Sequence, residues 1–476
     1  MNGEADASYR WVVLLTTTLG AFMTPLDGSI VSVALPSIAA ALALSYLEVL
    51  WIPTAYLLCL ASLLLSFGRL SDDRGRKQFF TVGFTIFTVA SALCSLSQYG
   101  LQLIAFRAVQ GVGAAMIGAT SYAIVTETFP IEERGKVLGV NTMAVYTGLA
   151  VGPTLGGLLV QALGWRSIFY VNIPIGIVVI LVAATRLREF PKDRALGISF
   201  DLSGASSFSA GLSLVLIGLT LGGGYRYTEP FTLGALVGGL GLLTLFILVE
   251  YRRGKDALLD PSFFRGNRLF VAANITALLN YSSYYAVTVF ISFYLHRLMG
   301  YNPSEVGLIL IAMPLPMVVL APVSGWLSDR FGSRIFASVG MALISAALFI
   351  LSLLNLGSSV IHVVAGLLIL GVGMGLFSTP NASAVMGSVK GKRLGVASGT
   401  LATMRFMGQS LSIAIMGAVA ATIVPPEVLE ALFGKTTGYG VLAVEAFIQG
   451  MSRAFSVGAT LALIGVLTSM VRAKET

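Results

Sequence analysis

The sequence predicts an all-α polytopic membrane protein with fourteen transmembrane helices, arranged as six, two and six. Of its 476 residues, 56% are hydrophobic and only 11% are charged, less than half the roughly 25% that a soluble domain uses to face water. The mean hydropathy is +0.87. Apolar stretches run unbroken, as around 233–249, where an outer-membrane barrel would show alternating segments of about ten residues. A loop motif also recurs at matching points of the chain and marks an internal duplication.

A hydropathy window of about 19 residues places helices near 11–35, 49–67, 79–96, 101–126, 137–160, 167–187, 202–221, 231–250, 269–295, 304–327, 335–356, 360–385, 395–423 and 447–470. The first follows a polar Met1–Arg10 and exceeds the 7 to 15 residues or so of a signal-peptide core, so it is expected to stay as a span. The second leads into Gly68-Arg-Leu-Ser-Asp72-Asp-Arg-Gly75-Arg76-Lys77, and the tenth into Gly325-Trp-Leu-Ser-Asp329-Arg-Phe-Gly332-Ser-Arg334. A basic turn alone explains the charge and Gly75, but not the aspartate shared at both helix ends. A duplicated six-helix unit explains both. The expected division is 1–190, two inserted helices in 191–268, and 269–476.

Ionisable residues inside spans are costly and point to function. Asp27 lies about 24 Å along the first helix, and Arg107 about 9 Å into the fourth from the opposite face. In a core of about 30 Å these positions share one layer. Asp27 is expected to bind and release a proton as a cavity opens to alternate sides, with Arg107 tuning it. A permanent ion pair fixing helix one against helix four, or a direct substrate contact, are the alternatives. In the fifth helix Gly148, Gly152 and Gly156 recur at every fourth position, a smooth stripe for close helix contact, and Pro153 removes a backbone hydrogen bond and bends the chain. Glycines punctuate the inserted pair around 202–250. The ninth helix, which also carries Asn280, aligns Asn274, Tyr281, Tyr284 and Tyr285, and the thirteenth adds Arg405 and Gln409 one turn apart. Such a polar aromatic wall suits lipophilic, partly aromatic compounds, although each residue also serves as ordinary interhelical glue. Arg405 unpaired would favour anionic or zwitterionic substrates; pairing with Asp27 or with helix carbonyls would remove that preference. Arg453 in the last span is expected to snorkel outward.

The net charge of +8 arises from orientation and not from an acidic partner. Basic residues such as Arg69, Arg74, Arg76, Lys77, Arg186, Arg188, Arg252, Arg253, Arg330 and Arg334 fall on one side, whereas Arg166, Arg226, Arg297 and Lys435 are the few on the other. The positive-inside rule then sets both termini in the cytoplasm. No amphipathic basic face suits nucleic acid. Cys59 and Cys94 lie in apolar segments, and His296 and His362 are the only histidines, so a disulfide framework, a zinc site and enzyme catalysis are not expected.

The sequence resembles the fourteen-helix drug:proton antiporter branch of the major facilitator superfamily, the EmrB/QacA-like transporters. The matching stretches are Leu26-Asp27-Gly-Ser-Ile-Val-Ser-Val-Ala-Leu-Pro36, Trp51 to Tyr56, Gly68 to Lys77, Arg107-Ala-Val-Gln110-Gly111, Gly148 to Gly157, and Gly164-Trp165-Arg166-Ser-Ile-Phe-Tyr-Val-Asn172-Ile-Pro174. They stand in family order through the N-terminal half. The resemblance implies that Asp27 is a protonation site, that Arg107 takes part in proton transfer, and that Asp72 holds a cytoplasmic gate against the helix beginning near Gly395. Asp73 departs from the family, which usually has a basic residue there.

Together these features imply a proton-coupled antiporter that exports lipophilic small molecules by alternating access. It is expected in the plasma (inner) membrane, as a monomer, with no cofactor beyond the proton gradient and no metal. Substrate contacts are expected from Tyr56, Gln110, Asn274, Asn280, Tyr281, Tyr284, Arg405 and Gln409. Gating is expected from Gly68, Asp72, Gly75, Arg76, Gly148, Gly152, Pro153, Gly156 and Asp329. A same-fold transporter of a defined metabolite, lipid or siderophore would carry the same motifs. A receptor or scaffold would need neither midmembrane charges nor a matched gate.

Overall fold

The computed structural model describes residues 2–189, 201–224, 228–254, 266–389, 394–425, 427–429 and 441–471. The helices are α1 (Asn2–Leu42), α2 (Tyr46–Arg74), α3 (Arg76–Ser95), α4 (Gly100–Thr128), α5 (Ile131–Leu163), α6 (Ser167–Tyr170), α7 (Asn172–Arg186), α8 (Leu202–Gly224) and α9 (Pro230–Arg253). They continue with α10 (Arg268–Tyr284), α11 (Val287–Phe293), a π-turn (Tyr294–Leu298), α12 (Pro303–Leu310), α13 (Pro314–Phe331), α14 (Ser333–Ser352), α15 (Val360–Gly387), α16 (Leu394–Ile423) and α17 (Val441–Met470). Among the described residues, 13 helical stretches are long and apolar enough to cross a membrane, with α6–α7 and α12–α13 each forming one. Arg226, Lys435 and the segments on either side of the inserted pair lie outside the described residues.

Two expectations change. The first helix does not stop near 35: it continues through Pro25 and Pro36 to Leu42, and turns at Ala43, whose φ is 51°. The stretch expected as one ninth helix is three pieces, α10, α11 and the π-turn. Its break at 285–286 contains neither proline nor glycine. The Ala286 amide instead donates to Ser412 Oγ of α16 at 3.1 Å, so a neighbouring helix satisfies a backbone group that lipid cannot.

The duplication is repeated in geometry. Ser45 and Glu48 form a capping box at the start of α2, and Asn302 and Glu305 form its counterpart at the start of α12. Gly75 and Gly332 end α2 and α13 with φ of 115° and 85°, a region open to glycine at little cost. Each donates its amide to the serine four residues before it, Ser71 and Ser328, at 2.9 Å. Gly83 lies against Gly113 where α3 crosses α4, and Gly340 against Gly373 where α14 crosses α15.

The glycine stripe of α5 faces α1. A Cβ on Gly148 would stand 2.5 Å from the Phe22 carbonyl oxygen, one on Gly152 would strike Ser29 Oγ, and one on Gly156 would stand 2.7 Å from Ile30. The next residue, Gly157, packs on the Pro303 carbonyl, while Gly307 packs on the Pro153 carbonyl. These reciprocal contacts join α5 to α12. Nearby, Tyr46 Oη donates to the Gly417 carbonyl at 2.7 Å, joining α2 to α16.

The α8–α9 hairpin lies along the α2/α16 seam. Phe208, Leu212 and Leu216 bury against Ala61, Leu65 and Ala414, and Trp51 Nε1 donates to Thr220 Oγ1 at 3.2 Å. Asp201 caps α8, accepting from the Gly204 amide and Ser203 hydroxyl at 2.8 Å, with Arg253 at 3.3 Å. Burial works to raise its pKa, but these donors, Glu250 and Arg253 outweigh burial and hold the carboxyl below its usual range.

Gly148→Leu should destabilise the fold by about 3 kcal/mol or more, since a backbone carbonyl cannot yield as a side chain does. A thermal melt in detergent should show this as a lower Tm, and Gly234→Leu, whose Cβ would meet no atom within 4 Å, should melt like wild type.

Candidate functional site

Four helices of the N-terminal part converge on Asp27. Its Oδ2 accepts from Arg107 Nη1 of α4 at 2.5 Å, and its Oδ1 accepts from Gln110 Nε2 and from Asn172 Nδ2 of α7, both at 2.9 Å. Gln110 turns its carbonyl back to Arg107 Nη1 at 2.6 Å and donates to Ser91 Oγ of α3 at 2.8 Å. Asp27 and Arg107 are 0% and 1% exposed. The guanidinium lies over the Tyr56 ring, 4.3 Å from its centroid, a cation–π contact strengthened by the absence of water. Ion pair, amides and hydroxyl thus form one closed network, in which Arg107 Nε and Asn172 Oδ1 have no partner.

The local sequence explains this convergence. Gly111 allows α4 to lie against the Tyr56 carbonyl of α2. Arg107 and Gln110 are three apart and so share a helix face. Gly148 and Gly152 draw α5 onto the turns of α1 that flank Asp27.

Beside the network is a cavity shared by both halves of the chain. Ser29 and Ser32 of α1 and Tyr146, Leu149 and Pro153 of α5 line one side. Tyr281, Tyr284, Tyr285, Met313, Met317, Met374, Arg405 and Gln409 contribute to the other. Its free centre is about 50 Å³, room for a few waters, so the walls must part to admit a drug-sized molecule. The Tyr285 hydroxyl links cavity to network: it lies 3.4 Å from the position of a Cβ on Gly28 and within electrostatic reach of Asp27, Arg107 and Arg405.

Arg405 has no ion-pair partner among the described residues. Its guanidinium carbon is 5.2 Å from the Phe406 ring centroid and 5.7 Å from that of Tyr281. Its Nε is buried without a hydrogen bond. Gly408 makes the approach of α16 to α10 close: a Cβ there would stand 2.8 Å from both the Leu278 carbonyl and Tyr281 Cβ.

Of the expected substrate contacts, Tyr281, Tyr284, Arg405 and Gln409 line this cavity, and four residues do not. Tyr56 and Gln110 are sealed into the Asp27 network. Asn274 donates to the Phe270 carbonyl within its own helix at 2.9 Å, and Asn280 turns to Met341 Sδ of α14 at 3.2 Å. A polar stripe along a helix with neighbours on several sides is divided among them. Asn172, Ser91 and Tyr146 were not singled out by sequence reasoning. Asn172 stands in the stretch 164–174, but its partner Asp27 is far away in the chain.

At the far end of α2, Asp72 accepts from Arg76 Nε at 2.9 Å, and Arg76 also holds Glu127 of α4 at 2.5 Å. Residues 390–393, just before α16, lie outside the described residues. Gly68 opens on empty space. Asp329 is exposed, and Arg330 beside it lies over Trp326 at 4.0 Å. A wider recess of about 660 Å³ on α17, lined by Ser452, Arg453 and Ser456 among others, is separate from the cavity and contains none of the expected site residues.

Comparison with known proteins agrees with this architecture. Residues 17–413 match the family model described as Major Facilitator Superfamily. The chain is 34% identical over 414 residues to the riboflavin transporter RibZ of Clostridioides difficile, covering 87% of this chain and 88% of that one. It is 32% identical over 411 residues to the multidrug resistance protein Stp of Mycobacterium tuberculosis, covering 86% and 76%. The structure of a D-xylose–proton symporter superposes with a TM-score of 0.68 at 12% identity, covering 98% of each chain. The protein is therefore a multi-pass membrane transporter and not an enzyme, and the chain belongs to the Major Facilitator Superfamily.

Proposed function

We propose that this transporter is a proton-coupled antiporter that exports lipophilic small molecules, in the fourteen-helix EmrB/QacA-like branch. The main support is the buried Asp27–Arg107 pair, one tyrosine away from a cavity with walls from both halves. In this reading α10, α11 and the π-turn form the ninth of fourteen spans, the division is 1–190, 191–268 and 269–476, both termini are cytoplasmic, and the membrane is the plasma membrane. The proton gradient supplies the energy without a cofactor, and the transporter works as a monomer.

Asp27, Ser29 and Ser32 share α1, so the helix that holds the carboxylate also forms part of the cavity wall. A proton on Asp27 cancels the charge that holds Arg107 and weakens the hydrogen bonds from Gln110 and Asn172. Helix α1 is then freer to shift against α4 and α7. Substrate entering the cavity meets that same helix, so proton and substrate act on one element. A carboxylate this deep in the protein needs a counter-charge beside it, and in this reading Arg107 is the group that lets the proton leave.

A second reading, transport of one defined metabolite, draws on the likeness to the protein named a riboflavin transporter. Proteoliposomes with a trapped pH dye separate the two. Proton movement on adding several unrelated lipophilic compounds is expected. A response to riboflavin alone would favour the second reading, and none to any compound would overturn antiport.

Asp27→Asn should abolish uphill export while leaving ligand binding largely intact, because it keeps the size and removes the titrating group; full gradient-driven export by this variant would refute the coupling role. Arg107→Ala should stall transport near neutral pH and recover partly as the pH rises, and Arg107→Lys should retain more function, having the charge without the fork. The pH profile of exchange for the three proteins checks this, and a profile merely scaled down would assign Arg107 to packing or substrate contact. For the gate, Asp72→Ala removes an anion whose interaction with a helix N-terminus is worth about 0.3 to 1 kcal/mol, or about 2 when partly buried. Accessibility of single-cysteine reporters on the cytoplasmic side should rise several-fold.

A further inference from the structure

We propose that Arg405 anchors a negative charge on the substrate, so that the cavity selects aromatic compounds bearing a carboxylate or phenolate over lipophilic cations. This rests on the reading of the cavity as the substrate site. The two arginines near the centre of the molecule are differently placed. Arg107 is neutralised by Asp27 within hydrogen-bond distance, whereas among the described residues no carboxylate lines the cavity that Arg405 shares. Tyr281, Tyr284, Tyr146, Tyr122 and Tyr285 stand within electrostatic reach of Arg405, and as neutral phenols they offer rings and hydroxyls but no counter-charge.

An unpaired guanidinium in a low-dielectric cavity is a poor neighbour for a cation and a strong one for an anion, which it can hold with two parallel N–H donors. Its Nε is buried with no hydrogen-bond partner among the described residues. Gln409, one turn on along α16 and lining the same cavity, adds an amide donor to the same side. The tilted pair Tyr281–Tyr284, with ring centroids 5.9 Å apart, and Tyr285 provide flat surfaces for an aromatic body. A charged head at Arg405 and a ring among the tyrosines describe a planar organic anion.

The test uses full-length protein in phosphatidylcholine nanodiscs, with empty discs as background, and two xanthene dyes of opposite charge, fluorescein and rhodamine 6G. Fluorescence polarisation should give fluorescein at least about tenfold tighter binding than rhodamine 6G, the scale of a hydrogen-bonded charge. Arg405→Gln should lose about that factor for fluorescein and leave rhodamine 6G unchanged or tighter, and Arg405→Lys should keep part of the preference. Rhodamine 6G binding as tightly as fluorescein to the wild type, no fluorescein binding, or an unchanged fluorescein affinity in a well-folded Arg405→Gln would overturn the proposal. The wild-type comparison stands even where a variant fails to fold. Fluorescein preference without proton movement in proteoliposomes would retain this inference and refute antiport.

Discussion

A carboxylate and a guanidinium held away from water each lose several kcal/mol of hydration, and Asp27 and Arg107 are both sealed from solvent. Their attraction offsets that loss only with good geometry and further hydrogen bonds to the remaining lone pairs and protons. Gln110 and Asn172 supply such bonds, Ser91 accepts from Gln110 behind them, and the Tyr56 ring lies under the guanidinium. The requirement reaches beyond the pair. It fixes which faces of α1, α3, α4 and α7 meet, and the glycines of α4 and α5 allow these helices to approach closely enough.

The same lack of water governs the backbone. Proline and helix breaks are tolerated where a neighbour provides an acceptor or donor, and the Ser412 contact to Ala286 is such a case. Tyr285, at the break, reaches toward Gly28 of α1, while Tyr281 lies against Gly408 of α16. The α8–α9 hairpin is different in kind. It joins by apolar packing against α2 and α16 and by one indole hydrogen bond, and it contributes no residue to the cavity.

Much of this was legible in the sequence wherever the signal is local. Length and hydropathy mark the spans, the motif at 68–77 and 325–334 marks the duplication, and helix rise alone puts Asp27 and Arg107 in one layer. The S-x-x-E of Ser45 to Glu48 is a local capping signature too, and its counterpart at Asn302 would have extended the repeat. What was not legible depends on partners remote in the chain. Asn172 gains its role only when α7 packs beside α1, and the break after Tyr284 depends on a serine of α16. A helical wheel groups Asn274 and Asn280 with the tyrosines, yet Met341 and the Phe270 carbonyl claim them.

The reciprocal contact of Gly157 with Pro303 and Gly307 with Pro153 brings main chain against main chain, with few side-chain atoms between. Such a joint has no interlocking rotamers to release and no large apolar area to expose when it parts. Dispersion across it is strong only at close range and falls steeply within an ångström. It therefore behaves as a latch with a short reach: firm when shut, nearly free once open, and costing little side-chain entropy in either direction. If the halves part at this face during transport, they can do so without repacking side chains across it.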